Sequence, residues 1–127
     1  MSKKLLIVDD EAHIRMLIEQ TLEDLEDDGV ELLFASDGEE ALSIIQEEQP
    51  NMVFLDVMMP KMNGMEVCQR VKGDADLQSI YIAILTAKGQ EVDKQKGKDV
   101  GANSYLTKPF DPDALLDLAK EVLEIED

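Results

Sequence analysis

The sequence predicts a doubly wound α/β fold, a five-stranded parallel sheet in the order 2-1-3-4-5 with helices on both faces, formed by residues 1–127 as one domain. Three observations predict it. Short β-rich apolar runs alternate five times with amphipathic segments, which is the pattern of a (βα)5 chain. Three of those runs are almost wholly apolar, as strands covered on both faces are. The polar residues able to do chemistry fall where the runs end, and in parallel α/β sheets the ligand crevice lies at the carboxyl ends of the strands.

The first strand is expected at residues 5–9 (LLIVD). A first helix over 11–27 places Ile14, Leu17, Ile18, Thr21, Leu22 and Leu25 in one stripe, with Arg15, Glu19, Glu23 and Asp24 on the other side. Ile14 lies in its first turn, beside the crevice, and is expected to be partly exposed. The second strand is 31–35 (ELLFA). Asp37 then caps a second helix through Glu48, stopped before Pro50, whose ring disfavours helical geometry in Gln49. The third strand is 52–56 (MVFLD), and Asn63-Gly64 opens a third helix to Lys72. A fourth strand at 81–86 (YIAILT) leads to a fourth helix over 90–100, ended by Gly101, which can take the left-handed cap conformation. The fifth strand is 104–107 (SYLT), and a fifth helix over 113–126 follows Asp111-Pro112 as cap and first-turn proline.

Composition narrows the function. The chain has 12 Lys+Arg against 29 Asp+Glu, a net charge of −17. Such a field argues against direct nucleic-acid binding and favours cations and proteins as partners. The apolar runs fall far short of the ~20 residues that span a bilayer, so no membrane is expected. Lys3 and Lys4 before an apolar run imitate a secretory signal, but Asp9, Asp10 and Glu11 cut that run short. A single cysteine, Cys68, excludes an internal disulfide or a multi-cysteine metal site and fits a reducing compartment. The expected location is cytoplasmic.

Asp9 and Asp10 follow the first strand, Asp56 closes the third, Thr86 closes the fourth and Lys108 comes just after the fifth. With the order 2-1-3-4-5, the topological switch lies between the two strands that carry the three aspartates. Three carboxylates in one crevice repel, so the site should take a cation or raise a pKa. Mg²⁺, a hard ion that wants oxygen ligands, suits them, and zinc has no histidine or cysteine ligands here. Lys108 and Thr86 face the same carboxylate, a pairing that suits a phosphoryl group. Carboxylate attack on phosphorus would give an acyl phosphate, and the central Asp56 is the best nucleophile.

Four stretches, LLIVDDE (5–11), FLDVMMPKMNG (54–64), ILTAKG (84–89) and GANSYLTKPF (101–110), stand in the order and at the spacing of one family. In them the chain resembles the receiver domain of bacterial two-component response regulators, across essentially its whole length. The resemblance implies a flavodoxin-like, CheY-like fold and a phosphoacceptor receiver in a phosphorelay. It implies that Asp56 accepts the phosphoryl group, that Asp10, Asp56 and the Met58 carbonyl ligate Mg²⁺, and that Asp9 acts through water. Thr86 and Lys108 would bind phosphoryl oxygens, Pro109 would follow a cis peptide bond that aims the lysine, and Tyr105 would be the switch aromatic. The implied partners are a histidine kinase or histidine phosphotransfer protein and a downstream protein effector. The chain would act as a monomer or a weak phosphorylation-dependent dimer. No enzymatic activity is expected beyond Mg²⁺-dependent self-phosphorylation from a phosphodonor and autodephosphorylation.

Other residues have plainer readings. His13 is expected to face solvent, Cys68 to fill the helix core, and Met58, Met59, Met62 and Met65 to serve mostly as packing. Lys88, Lys94, Lys96 and Lys98 lie in or beside the fourth helix, which in receivers forms the output face with the fifth strand and fifth helix. Receivers that dimerise through this face often carry an acidic pair before the fifth strand and arginines on the last helix. Here Asn103-Ser104 replaces the pair, and the last helix is acidic apart from Lys120. The output alternatives are a free-standing receiver and a receiver fragment of a longer DNA-binding response regulator. A haloacid-dehalogenase-like phosphatase would need an Asp-x-Asp motif after the first strand, which Asp9-Asp10-Glu11 does not supply. A flavin binder would bring its phosphate against those same acids. The remaining alternative is an interaction module that keeps the scaffold without phosphorylation.

Overall fold

The computed structural model describes residues 3–57, 59, 62–87, 100–108 and 111–125. Five parallel strands, β1 (Lys3–Val8), β2 (Val30–Ala35), β3 (Met52–Asp56), β4 (Tyr81–Ala87) and β5 (Ser104–Lys108), form one sheet in the order β2-β1-β3-β4-β5. This is the expected doubly wound topology. Residues 90–99 of the expected fourth helix with Lys94, Lys96 and Lys98, together with Lys88, Met58 and Pro109, lie outside the described residues.

Alternation along the strands divides the apolar residues between two layers. Leu5, Ile7 and Phe54 are buried against Ile18 and Leu22 of α1 (Ala12–Leu22) and against Leu115, Ala119 and Leu123 of the C-terminal helix (Pro112–Leu123). On the other face Leu6, Val8, Val53, Leu55, Ile82 and Ile84 meet Ala41 and Ile45 of α2 (Gly38–Glu48) and Val67, Cys68 and Val71 of α3 (Gly64–Lys72). Cys68 is the core residue the sequence suggests.

The helix starts follow their caps. Asp37 accepts from the Glu40 N–H at 2.8 Å while the Glu40 carboxylate accepts from the Ser36 N–H, so two bonds tie down the start of α2. Asn63 accepts from the Glu66 N–H at 3.0 Å, and Asp111 from the Asp113 N–H at 2.9 Å ahead of Pro112. Gly101 has φ +91°, the left-handed geometry expected of it.

α2 and α3 end at Glu48 and Lys72 as expected, whereas the first and last helices end earlier. α1 stops at Leu22 and continues as a 3-10 turn over Glu23–Asp28, closed by Gly29 in the left-handed region. That turn holds Glu23, Asp24, Glu26, Asp27 and Asp28, and negative charge at a helix C-terminus opposes the helix dipole. The C-terminal helix stops at Leu123, whose carbonyl accepts from Lys3 Nζ. Leu17, assigned to the buried stripe of α1, is 41% exposed, because Ile14, Ile18, Leu22 and Leu25 already cover the sheet. β1 begins at Lys3 and leaves Asp9 outside the strand, whereas β5 runs one residue further than expected and includes Lys108.

Two asparagines continue the sheet beyond its strands. Asn51 pairs with the Lys4 main chain through both its N–H and its side-chain oxygen, each at 2.8 Å. Asn103 does the same to Ile82, at 2.9 and 2.8 Å.

Candidate functional site

Four strand ends meet at one crevice, and each contributes a polar side chain. Asp9 follows β1, Asp56 ends β3, Thr86 lies near the end of β4 and Lys108 ends β5. Asp9, Asp56 and Thr86 are buried, at 0%, 5% and 1% exposure, while Asp10 is exposed at the mouth. One carboxylate oxygen from each of Asp9, Asp10 and Asp56 lies within 4.8 Å of the others. The Lys108 ammonium enters this group and donates to Asp9 Oδ2 at 2.8 Å and to Asp56 Oδ1 at 3.2 Å.

Burial and charge act on these groups in opposite directions. Burial, reinforced by Asp9 and to a smaller extent by Asp10, pushes the Asp56 carboxyl up from 3.8 to about 6, against the opposing pull of Lys108. Burial alone would lower the Lys108 ammonium, but its hydrogen bond to Asp9 and the charges of Asp56 and Asp9 outweigh burial and raise it. The carboxylates outnumber the ammonium. The group offers hard oxygen donors, the donor set that Mg²⁺ selects. Among the described residues no histidine or cysteine joins it.

Asp9 is held at each of its polar atoms. Its N–H donates to the Ala35 carbonyl at 3.2 Å, and its Oδ1 accepts from the Glu11 N–H at 3.0 Å. Its Oδ2 takes Lys108, and its carbonyl accepts from Arg15 Nη1 at 2.5 Å. Sequence reasoning placed Arg15 on the solvent side of α1, and the structure corrects this. The side chain is half-buried and turns back to the crevice wall. No motif marks such a contact, because its acceptor is main chain; the only available signal was a long cation on the first turn of a helix beside an acidic strand end.

The sheet brings Thr86 and Tyr105 to one face. Register pairs Ile84 with Tyr105 and Thr86 with Thr107, and Tyr105 packs, half-buried, on the α2 and α3 side of the core. Two glycines fix the loop after Asp56. A Cβ on Gly64 would lie 2.2 Å from the Asp56 carbonyl oxygen, and one on Gly38 would lie 1.9 Å from that of Met62. Both approaches are to main chain, so a methyl group cannot be admitted by a rotamer change. Ile14 is half-buried, as expected, with Met16 at 57% and Leu17 at 41% exposed along α1. The His13 side chain is 76% exposed, 3.3 Å from Glu11.

The family model described as "Response regulator receiver domain" matches residues 5–120. "Probable transcriptional regulator ycf27" of Cyanophora paradoxa is 48% identical over 113 residues, covering 89% of this chain and 45% of its own length. "Alkaline phosphatase synthesis transcriptional regulatory protein PhoP" of Bacillus subtilis is 45% identical over 112 residues, covering 88% of this chain and 45% of its own. The chain thus spans about half the length of the curated relatives it matches. Among solved structures, a chemotaxis response regulator of Vibrio cholerae superposes with a TM-score of 0.84 at 37% identity, covering 96% of this chain and 99% of that one. Topology, the acidic crevice and a match across most of the sequence agree, and the chain belongs to the response regulator receiver domains of two-component systems.

Proposed function

We propose that this receiver takes a phosphoryl group onto Asp56 from a histidine kinase or histidine phosphotransfer protein and passes the signal to a protein effector. The observation that carries this reading is the ammonium of Lys108 between the buried Asp56 and Asp9, in a crevice that a third carboxylate, Asp10, completes. In the transfer, an oxygen of Asp56 attacks phosphorus as the bond to the donor nitrogen breaks; the imidazole nitrogen leaves with the electron pair and takes a proton from water. Lys108 and Thr86 then offer an ammonium and a hydroxyl to the phosphoryl oxygens. Asp10 and Asp56 would hold Mg²⁺, with Asp9 acting through water and the Met58 carbonyl, outside the described residues, as a further ligand. When bound, the ion supplies charge neutralisation to the transferring oxygens. Water attack on the acyl phosphate restores the carboxylate, so the phosphoryl group is carried transiently.

The half-buried Ile14, in the first turn of α1 beside the crevice, would meet the kinase, with the exposed Leu17 one turn on along the same side. Output would pass through Tyr105 and the acidic C-terminal helix, to a separate effector or, in the alternative, to a DNA-binding segment of a longer regulator. Two relatives named as transcriptional regulators favour that alternative, both about twice the length of the matched region. Lacking the arginines and acidic pair of strongly dimerising receivers, the chain would be a monomer or a weak phosphorylation-dependent dimer.

Intact-mass measurement after exposure to Mg²⁺ and acetyl phosphate tests the reading. Wild type should gain one phosphoryl group, and Asp56→Asn none. With a kinase as donor, Ile14→Ala should slow transfer while leaving the acetyl phosphate reaction unchanged. An adduct that persists on Asp56→Asn, or that appears on His13, overturns the assignment.

A further inference from the structure

We propose that Arg15 is a positioning residue for the cation site, acting through the main chain of Asp9. The inference rests on the reading of Asp9, Asp10 and Asp56 as a cation site and adds a residue to it. β1 ends at Val8, so the Asp9 carbonyl has left the strand ladder, yet Asp9 is wholly buried. A buried carbonyl needs a donor, and Arg15 Nη1 supplies one at 2.5 Å. That carbonyl belongs to the peptide unit joining Asp9 to Asp10. Fixing its plane fixes the relative directions in which the two neighbouring carboxylates leave the backbone.

The other bonds to Asp9 reach atoms other than that carbonyl oxygen. The Ala35 carbonyl holds the Asp9 N–H, and Lys108 and the Glu11 N–H hold its side chain. The Glu11 bond closes a ring that runs through the peptide leading to Asp10, and Arg15 adds the bond to that peptide's own oxygen. Asp10 is exposed, so packing holds it weakly, and its carboxylate still lies within 4.8 Å of those of Asp9 and Asp56. Arg15 is anchored on α1, where its own N–H donates to the Glu11 carbonyl at 3.1 Å. The guanidinium thus ties the exposed ligand's backbone to a helix packed on the sheet. It meets the acidic group from the main-chain side, through a carbonyl and not through a carboxylate.

Positioning and simple charge predict opposite signs. A cation near the site repels Mg²⁺, so if charge were the whole effect, removing Arg15 would tighten binding. If Arg15 orients the Asp9–Asp10 peptide, removing it loosens the ligand set and weakens binding, by about tenfold if it behaves like other residues that orient metal ligands. The experiment is calorimetric titration of Mg²⁺ into metal-free wild type, Arg15→Met, Arg15→Lys and Asp10→Ala, with urea unfolding and amide NMR spectra of each. Expected are about tenfold weaker binding in Arg15→Met, recovery to within about threefold of wild type in Arg15→Lys, and a displaced Asp10 amide resonance in metal-free Arg15→Met. Binding in Arg15→Met that equals or exceeds wild type overturns the inference alone, since the wild-type titration still establishes the site. Equal weakening in both Arg15 variants, matched by equal loss of unfolding stability, overturns it in favour of general destabilisation. A wild type that takes up no Mg²⁺ overturns the cation site and this inference with it.

Discussion

At the scale of the residue, Asp56 combines properties that work against each other in a folded protein. It is buried where its charge is unwelcome, and the proposed attack on phosphorus requires that charge. Its carboxyl titrates near 3.8 when unfolded and at about 6 when folded. As pH rises through that window the unfolded chain releases the proton first, the folded state holds it longer, and this residue's contribution to stability is lost. Metal-free wild type should therefore lose stability relative to Asp56→Asn as pH goes from below 3.8 to above 6, in urea unfolding with chelator present. A difference of the opposite slope would mean that attraction to Lys108 outweighs burial. The carboxylates, Thr86 and Lys108 were legible in the sequence because each stands at the end of an apolar run whose period is easy to see. Arg15 was not, since the amphipathic pattern assigns it to the solvent side and its acceptor is a main-chain carbonyl.

At the scale of the element, the strands and helix starts were readable because apolar runs, Asp37, Asn63 and Asp111 mark them locally. The end of α1 was not, since its apolar stripe continues to Leu25 while the backbone tightens into a 3-10 turn over Glu23–Asp28. The close approaches of Gly38 and Gly64 were equally hidden, because each is a contact with main chain from another part of the chain. The pair β4 and β5 carries the proposed output step. Thr86 and Tyr105 are diagonal neighbours on one sheet face, so a Thr86 hydroxyl drawn to a phosphoryl oxygen changes the space beside the half-buried ring. The ring shifts only by the difference in its interactions between the two states, with a coupling of about 1–3 kcal/mol. Thr86→Ala should still accept phosphate on Asp56 while Tyr105 loses its phosphorylation-dependent NMR change. A wild-type Tyr105 with one environment in both states would exclude this ring from the switch.

At the scale of the whole molecule, a net charge of −17 makes the compact state repel itself, and the acidic crevice is one local part of that repulsion. The two parts respond differently to ions. Monovalent salt screens exposed charges over a Debye length that falls from about 10 Å at 0.1 M to about 3 Å at 1 M, whichever carboxylates carry them. Sodium chloride should therefore stabilise wild type and Asp10→Ala alike. Asp10→Ala should also begin slightly more stable in metal-free buffer, because one of three crowded carboxylates is gone. A specific Mg²⁺ site adds a separate contribution that grows with occupancy, about 1.4 kcal/mol when the ion stands at ten times its dissociation constant. At matched ionic strength, Mg²⁺ should raise the unfolding free energy of wild type beyond the sodium chloride control and that of Asp10→Ala much less. Equal gains in the two proteins would assign the Mg²⁺ effect to the diffuse negative surface, and the three strand-end carboxylates would then bind no more tightly than the rest of it.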